Sequence, residues 1–268
     1  MKNRDYLFSV VLIILATFIW LRNMHWISSD DDTLPILIAL PLFIWLGTPW
    51  SWRSDSPPLS SRRIVCAIGC FLLGIITNIT LLMALGWTWL LWLWLSSRVN
   101  PESLSSVKKL LVLPLMAFPW VTLDAQTVGW WFRLSGASVA AKLFSYGGLT
   151  VIHEGTHLSV NGLPISVEAA CSGLNTLQSM LIAGSIVAYL QLRETSTYWW
   201  NLLWLPLMAW IANTIRIIAI CLVGLAISRE FAMGPFHDIG GWIIIFLMFC
   251  LCWLLFSLQQ PKSTKNHE

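Results

Sequence analysis

Charge is in short supply. Of 268 residues only 11% are Asp, Glu, Lys or Arg, where an ordinary soluble domain carries about 25%. So few charges cannot clothe a soluble surface. The complement, 57% hydrophobic residues and a mean hydropathy of +0.71, also excludes disorder, which needs low hydrophobicity. The net charge is +3 with no long basic cluster, so a nucleic-acid partner is not expected. A cysteine framework is lacking as well. Six Cys show no C-x-x-C pair and no regular spacing, which argues against a disulfide scaffold or structural zinc. Cys66, Cys70, Cys221, Cys250 and Cys252 lie in or beside apolar runs and read as small apolar fillers of membrane helices. Cys171 differs, because Glu168-Ala-Ala-Cys-Ser-Gly173 joins a polar segment to an apolar one.

What is abundant is tryptophan, eighteen in all, with many at the ends of apolar runs such as 87–95 and 199–205. That is the pattern of aromatic belts at membrane interfaces. A helix crossing about 30 Å of hydrocarbon needs about 20 mainly apolar residues, and eight runs qualify: 6–22, 34–50, 63–79, 80–97, 110–126, 173–191, 199–227 and 239–258. The third and fourth share one long run, with Thr77-Asn78-Ile79-Thr80 as the only plausible turn. The first follows Lys2 and Arg4, as a signal peptide would. No small-residue cleavage site comes after it and more apolar runs do, so it is expected to be retained. With the N-terminus cytoplasmic, eleven of the sixteen basic residues fall inside and Asp30-Asp31-Asp32 falls outside. The bias fits eight spans with both termini in the cytoplasm.

The expected fold is therefore an all-α polytopic membrane protein with a small extracytoplasmic β segment. Residues 1–126 form an N-terminal membrane region of about five spans. Residues 127–172 form an outer segment, and 173–268 a C-terminal catalytic region of three spans with a cytoplasmic tail. Within the outer segment, 128–144 mixes Trp and Phe with Arg133 and Lys142 and reads either as an interfacial amphipathic helix or as a plain connector. Residues 149–168 are rich in Val, Ile and Thr and contain Asn161-Gly162, a strong hairpin signal, so a meander of two or three strands is expected.

That meander contains His153-Glu154-Gly155-Thr156-His157, a match to H-E-x-x-H. The zinc-protease chemistry of that pattern needs a helix, so that both His reach one metal while Glu activates water. In a continuous strand the two His stand about 13 Å apart at ~3.3 Å per residue. With Glu154-Gly155 as a two-residue turn they point to opposite faces. Neither arrangement holds one metal, and the pattern reads as two loop histidines.

Three other polar residues are expected on one side of the membrane: Cys171 at the start of the sixth span, Arg216 within the seventh and His237 opening the eighth. An ionisable residue inside a span is costly and by default functional. Arg216 lies sixteen residues past Trp200, about 24 Å along a helix, yet the apolar run continues to Ile227. That depth implies a protein-lined recess. A thiol at a helix N-terminus near a guanidinium has its thiolate favoured. A histidine in reach can take its proton and later protonate a leaving amine. A fixed guanidinium with the N–H groups after Cys171 can hold an oxyanion. Ser172, Gly173 and Asn213 are the supporting residues.

These boxes, Glu168-Ala-Ala-Cys171-Ser172-Gly173-Leu174, Asn213-Thr-Ile-Arg216-Ile217 and His237 before the last span, resemble the exosortase/archaeosortase family of multi-span membrane enzymes. The resemblance covers roughly residues 60–258 and implies Cys171 as nucleophile, with Arg216 and His237 as the other catalytic members and no cofactor or metal. Asn175, where a basic residue is frequent, and Thr214-Ile215, where Gly-Leu is common, depart from it and leave the subfamily open. The resemblance further implies exported partners whose C-terminal tail carries a short motif (Pro-Glu-Pro-like in bacteria), a transmembrane helix and a basic cluster. The tail would be cut on the outer side and the acyl group passed to an acceptor amine or to water. A zinc protease using His153, Glu154 and His157, or a non-enzymatic transporter or structural membrane protein, are the alternatives; a transporter should show an internal repeat, and none is apparent. Reporter fusions test the topology. Those after Arg98, Arg193 and at the C-terminus should read cytoplasmic, and those near Asp31 and Asn161 external; an external C-terminus would break the eight-span map.

Overall fold

Apolar runs become helices as far as the residue that breaks them. The structure, a computed structural model that describes residues 2–27, 33–53, 55, 57–166 and 173–260, is mostly helical with one small sheet. Its contacts divide into two compact units, Met1–Ala125 and Gln126–Glu268.

The first unit holds α1 (Lys2–Arg22), α2 (Thr33–Leu46), α3 (Ser61–Thr77), α4 (Thr80–Ser96), α5 (Leu104–Leu110), α6 (Val112–Met116) and α7 (Trp120–Asp124). The third and fourth apolar runs separate at Asn78, as expected. Asn78 takes a left-handed φ of 58°, which Asn tolerates, and the Ile79 N–H returns to the Gly74 carbonyl at 3.0 Å, a Schellman-type stop. At the start of α4, the Leu81 N–H donates to Asp124 Oδ2 at 2.6 Å, satisfying one of the donors that a helix N-terminus leaves open. The two helices touch backbone to backbone. A Cβ on Gly86 would lie 2.7 Å from the Phe71 amide nitrogen and 2.9 Å from the Ala67 carbonyl oxygen.

The run 110–126, expected as one span, is instead divided among the end of α5, α6 and α7. Pro114 and Pro119 are the cause, since neither has an N–H to return to the preceding turn. Indoles take over part of that work. Trp120 Nε1 donates to the Leu115 carbonyl at 3.1 Å, the acceptor that residue 119 cannot reach, and Trp20 Nε1 donates to the Ala117 carbonyl at 2.9 Å.

The second unit holds α8 (Gln126–Tyr146), strands β1 (Val151–Glu154), β2 (His157–Val160) and β3 (Leu163–Ser166), then α9 (Leu174–Leu192), α10 (Tyr198–Ala226), α11 (Arg229–Met233) and α12 (Pro235–Ser257). The sheet is an antiparallel meander in the order β1-β2-β3. Asn161-Gly162 turns between the paired Val160 and Leu163, both turn residues at positive φ, as a two-residue hairpin of this type requires. Leu158 and Val160 are buried in a cluster with Ala137, Ala140 and Phe144 of α8, and with Ile217, Ile220 and Cys221 of α10. The meander is therefore packed on α8 and α10. Gly136 lets α8 approach α10, its absent Cβ 2.9 Å from Ile217 Cδ1, and Trp210 Nε1 donates to Ser135 Oγ at 2.8 Å beside it. Helix α10 and the turn that follows α12 are joined through a reciprocal amide pair. Asn201 Nδ2 donates to Gln259 Oε1 at 2.8 Å, and Gln259 Nε2 to Asn201 Oδ1 at 3.0 Å.

Two helical stretches, Tyr198–Ala226 and Ile239–Ser257, are each long and apolar enough to cross a membrane, and Tyr6–Arg22, Ile36–Leu46 and Thr80–Ser96 are shorter apolar helices. The two glycines Gly69 and Gly86 test the α3–α4 contact. Gly69 has open space where a Cβ would go, so Gly69→Ala should be neutral or stabilising by up to ~1 kcal/mol. Gly86→Ala presses on backbone atoms that cannot swing away and should cost about 1–3 kcal/mol. Thermal unfolding of the purified protein in detergent reads the difference; equal midpoints for the two variants would disprove the close crossing.

Candidate functional site

The site begins at a backbone constraint. Gly173, the N-cap of α9, has φ 75° and ψ 1°, a left-handed conformation that glycine adopts without penalty. Space enforces the same choice. A Cβ there would lie 2.9 Å from Asn213 Cγ and 3.0 Å from Phe132 Cδ2. The start of α9 is thus pressed against α10 at Asn213, which is fully buried, and against α8 at Phe132.

Arg216 follows Asn213 by three residues on α10, close to one helical turn, so the two share a face. Its Nη2 donates to the backbone carbonyl of His237 at 3.0 Å. The same nitrogen stands 3.2 Å from His237 Nε2 and 3.4 Å from Nδ1. A neutral imidazole has one acceptor nitrogen, so at most one of the ring contacts is a hydrogen bond at a time and the carbonyl is the constant partner. Arg216 Nε is buried and has no hydrogen-bond partner among the described residues. The guanidinium therefore keeps an N–H that is not committed to the fold.

His237 is held by the opening of α12. Pro235 occupies the first helical position, where its missing N–H costs nothing. Phe236 packs on the cluster shared by the sheet, α8 and α10. Upstream, the Ser228 hydroxyl accepts from the Phe231 N–H at 3.2 Å and caps α11, so α10 turns back into α12 through a short capped helix. Gly241, one turn beyond His237 in α12, faces the guanidinium: its absent Cβ would stand 3.0 Å from Arg216 Nη2, 3.1 Å from Cζ and 3.2 Å from Nε.

Of the residues singled out from sequence, Gly173 and Asn213 touch, Arg216 and His237 touch, and one turn of α10 links the two pairs. Cys171 and Ser172 lie outside the described residues. Phe132 and Gly241 were not foreseen. The Gly240-Gly241 pair inside an otherwise apolar run was the available signal for the second.

The His-Glu-Gly-Thr-His stretch forms the first hairpin. Its turn is Gly155-Thr156, one residue later than the turn considered from sequence, because Gly155 supplies the positive φ of 62° and Glu154 pairs with His157. His153 pairs with Leu158 on the packed face, whereas Glu154 and His157 stand on the other. The two histidines thus point to opposite faces of the sheet. The exposed face, with Arg229, lines a cleft of about 280 Å³. A larger apolar groove of about 670 Å³, lined by residues such as Phe8, Phe18, Ile64 and Phe71, lies in the first unit and contains none of the residues singled out above.

No match was found among curated proteins or among solved structures. The family model of the transmembrane exosortases, by contrast, matches residues 3–254. That range takes in the start of α9, Arg216 and the opening of α12, together with all of the first long apolar helix and most of the second. The chain is a membrane protein and belongs to the transmembrane exosortase family.

Proposed function

We propose that this protein is a cysteine peptidase or transpeptidase that removes C-terminal sorting tails from exported proteins at the outer face of the cytoplasmic membrane. In this reading it has eight spans and both termini in the cytoplasm. The observation that carries the reading is the Arg216–His237 contact, one helical turn from the Asn213–Gly173 contact that lies two residues after Cys171 in the chain.

The chemistry follows from those groups. A ring nitrogen of His237 takes the thiol proton of Cys171, and the thiolate attacks the scissile carbonyl carbon. Negative charge develops on the carbonyl oxygen, where the uncommitted Arg216 Nε–H and backbone N–H groups at the start of α9 are the available donors. The C–N bond then breaks, with the tail leaving as an amine that receives the proton from His237. The remaining thioester is opened by an acceptor amine or by water, which regenerates the thiol. Asn213, fully buried beside Gly173, fixes the approach of α9 to α10. The substrate would be an exported protein carrying a short motif, a membrane helix and a basic cluster at its C-terminus. The acceptor is a second, unidentified nucleophile.

Processing of a tailed substrate by the full-length enzyme in membranes tests these roles at matched protein levels. Cys171→Ala should abolish it. Cys171→Ser should be nearly inactive, since a hydroxyl is a far weaker nucleophile. Arg216→Lys keeps the charge but loses the planar fork and should be slower by roughly 10²-fold. His237→Ala should fall by about 10²- to 10⁴-fold. If Arg216→Lys and His237→Ala both process at near wild-type rates while Cys171→Ala is dead, the nucleophile stands and the Cys–Arg–His set is wrong.

The hairpin histidines give the contrasting expectation. His153→Ala and His157→Ala should each retain most of the activity, and chelators should leave it intact while thiol alkylation removes it. Loss of activity in both variants, together with zinc-dependent recovery of a chelated wild type, would favour a metalloprotease instead.

A further inference from the structure

We propose that Gly241 is a positioning residue for Arg216: the missing side chain at this point of α12 is the seat that lets the guanidinium reach the first turn of the helix. The inference rests on the catalytic reading of Arg216 given above and adds to it the residue on which the geometry of that guanidinium depends.

Residues 237 and 241 are four apart on one helix, so Gly241 lies directly over the turn whose carbonyl Arg216 engages. A donor arriving from α10 must cross the place where the side chain of residue 241 would begin. Three atoms of the guanidinium lie within 3.0–3.2 Å of that place, Nη2, Cζ and Nε, so the group rests flat against the glycine along its whole edge. A methyl group there would push all three away together. The bond from Nη2 to the His237 carbonyl, now 3.0 Å, would lengthen, and the uncommitted Nε–H would change its aim. The neighbouring Gly240 is unlike it. The three atoms nearest a Cβ on Gly240 all belong to the ring of Phe236, at 3.2–3.4 Å, and none to Arg216. Both glycines are buried in the same helix, and glycine weakens a helix interior relative to alanine. Alanine at 241 should therefore help the helix while harming the site, so the two effects have opposite signs.

The experiment compares Gly241→Ala with Gly240→Ala in the full-length enzyme, measuring processing of a tailed substrate and thermal unfolding in detergent. Gly241→Ala should slow processing by roughly tenfold, as expected for a catalytic group displaced by a fraction of an ångström, with no fall in its unfolding midpoint. Gly240→Ala should stay within about twofold of wild type. The same change is then made in an Arg216→Lys background, whose residual rate is slow but measurable and whose single ammonium needs less room. There Gly241→Ala should cost less than about twofold, the non-additivity of two residues acting through one contact. Wild-type processing by Gly241→Ala, an equal loss in both backgrounds, or a loss matched by a lowered unfolding midpoint would each overturn the positioning role. Wild-type processing by Arg216→Lys would instead sink the catalytic reading itself, so the two failures are distinguishable.

Discussion

An arginine cannot be neutralised inside a bundle. Its guanidinium stays charged at any physiological pH, so Arg216, set among Ile215, Ile217 and Ile218, needs acceptors that the protein must supply. The carbonyl and ring of His237 are the acceptors at hand, and much of the second unit is arranged so that they stay in place. The reciprocal Asn201–Gln259 amide pair joins α10 to the turn that follows α12. Phe236 anchors the first turn of α12 on the apolar cluster. Gly136 lets α8 close on α10 beside Thr214 and Ile217. Pulling the opening of α12 away, carbonyl and ring together, would strand a charge, which is more costly than losing an ordinary hydrogen bond.

Helix α10 is longer than a membrane crossing requires. Its 29 residues extend about 43 Å at 1.5 Å per residue, well beyond the roughly 30 Å of a hydrocarbon core. The part that follows Arg216 does not face lipid alone. Ile217, Ile220 and Cys221 are buried with Leu158 and Val160 of the sheet and with the small residues of α8. The meander thus covers this stretch of α10 with protein, and it does so from the segment that precedes Cys171 in the chain. Hydropathy registers only that these side chains avoid water. It is blind to whether lipid or a β-sheet covers them.

Legibility followed the range of the forces involved. The stop at Asn78 and the turn at Asn161-Gly162 depend on the conformational preferences of one or two residues, and both were readable. Arg216 stood out because a lone charge in an apolar run is conspicuous in any context. The helix breaks after α5 were harder, although Pro114 and Pro119 were in plain view, because a span that tolerates proline and one that is divided by it have the same composition. The tryptophans have a second use that composition does not show. Besides the interfacial belt expected from sequence, Trp20, Trp87 and Trp120 donate their indole N–H to main-chain carbonyls within the first unit. An apolar bundle must satisfy its polar backbone internally, and the large amphipathic ring is well suited to doing so. The Gly240-Gly241 pair marked the place in the sequence, but which of the two faces a guanidinium from another helix was not readable there.

The hairpin histidines and the Arg216–His237 pair show why spacing and chemistry have to be taken together. His153-Glu154-Gly155-Thr156-His157 has the right letters at the right separation, but separation becomes distance only through secondary structure. On a helix, positions four apart share a face. Here Gly155 turns the chain, and antiparallel pairing sets Glu154 against His157 and His153 against Leu158, so the five residues point in two directions. Arg216 and His237, twenty-one residues apart with a short helix between them, have no local pattern at all and still meet, because α10 and α12 are forced together by the burial of everything around them. A charged group that has to be satisfied gathers its partners from wherever the fold can bring them, and that need, rather than a recurring string, locates the polar centre of this protein at the opening of its last helix.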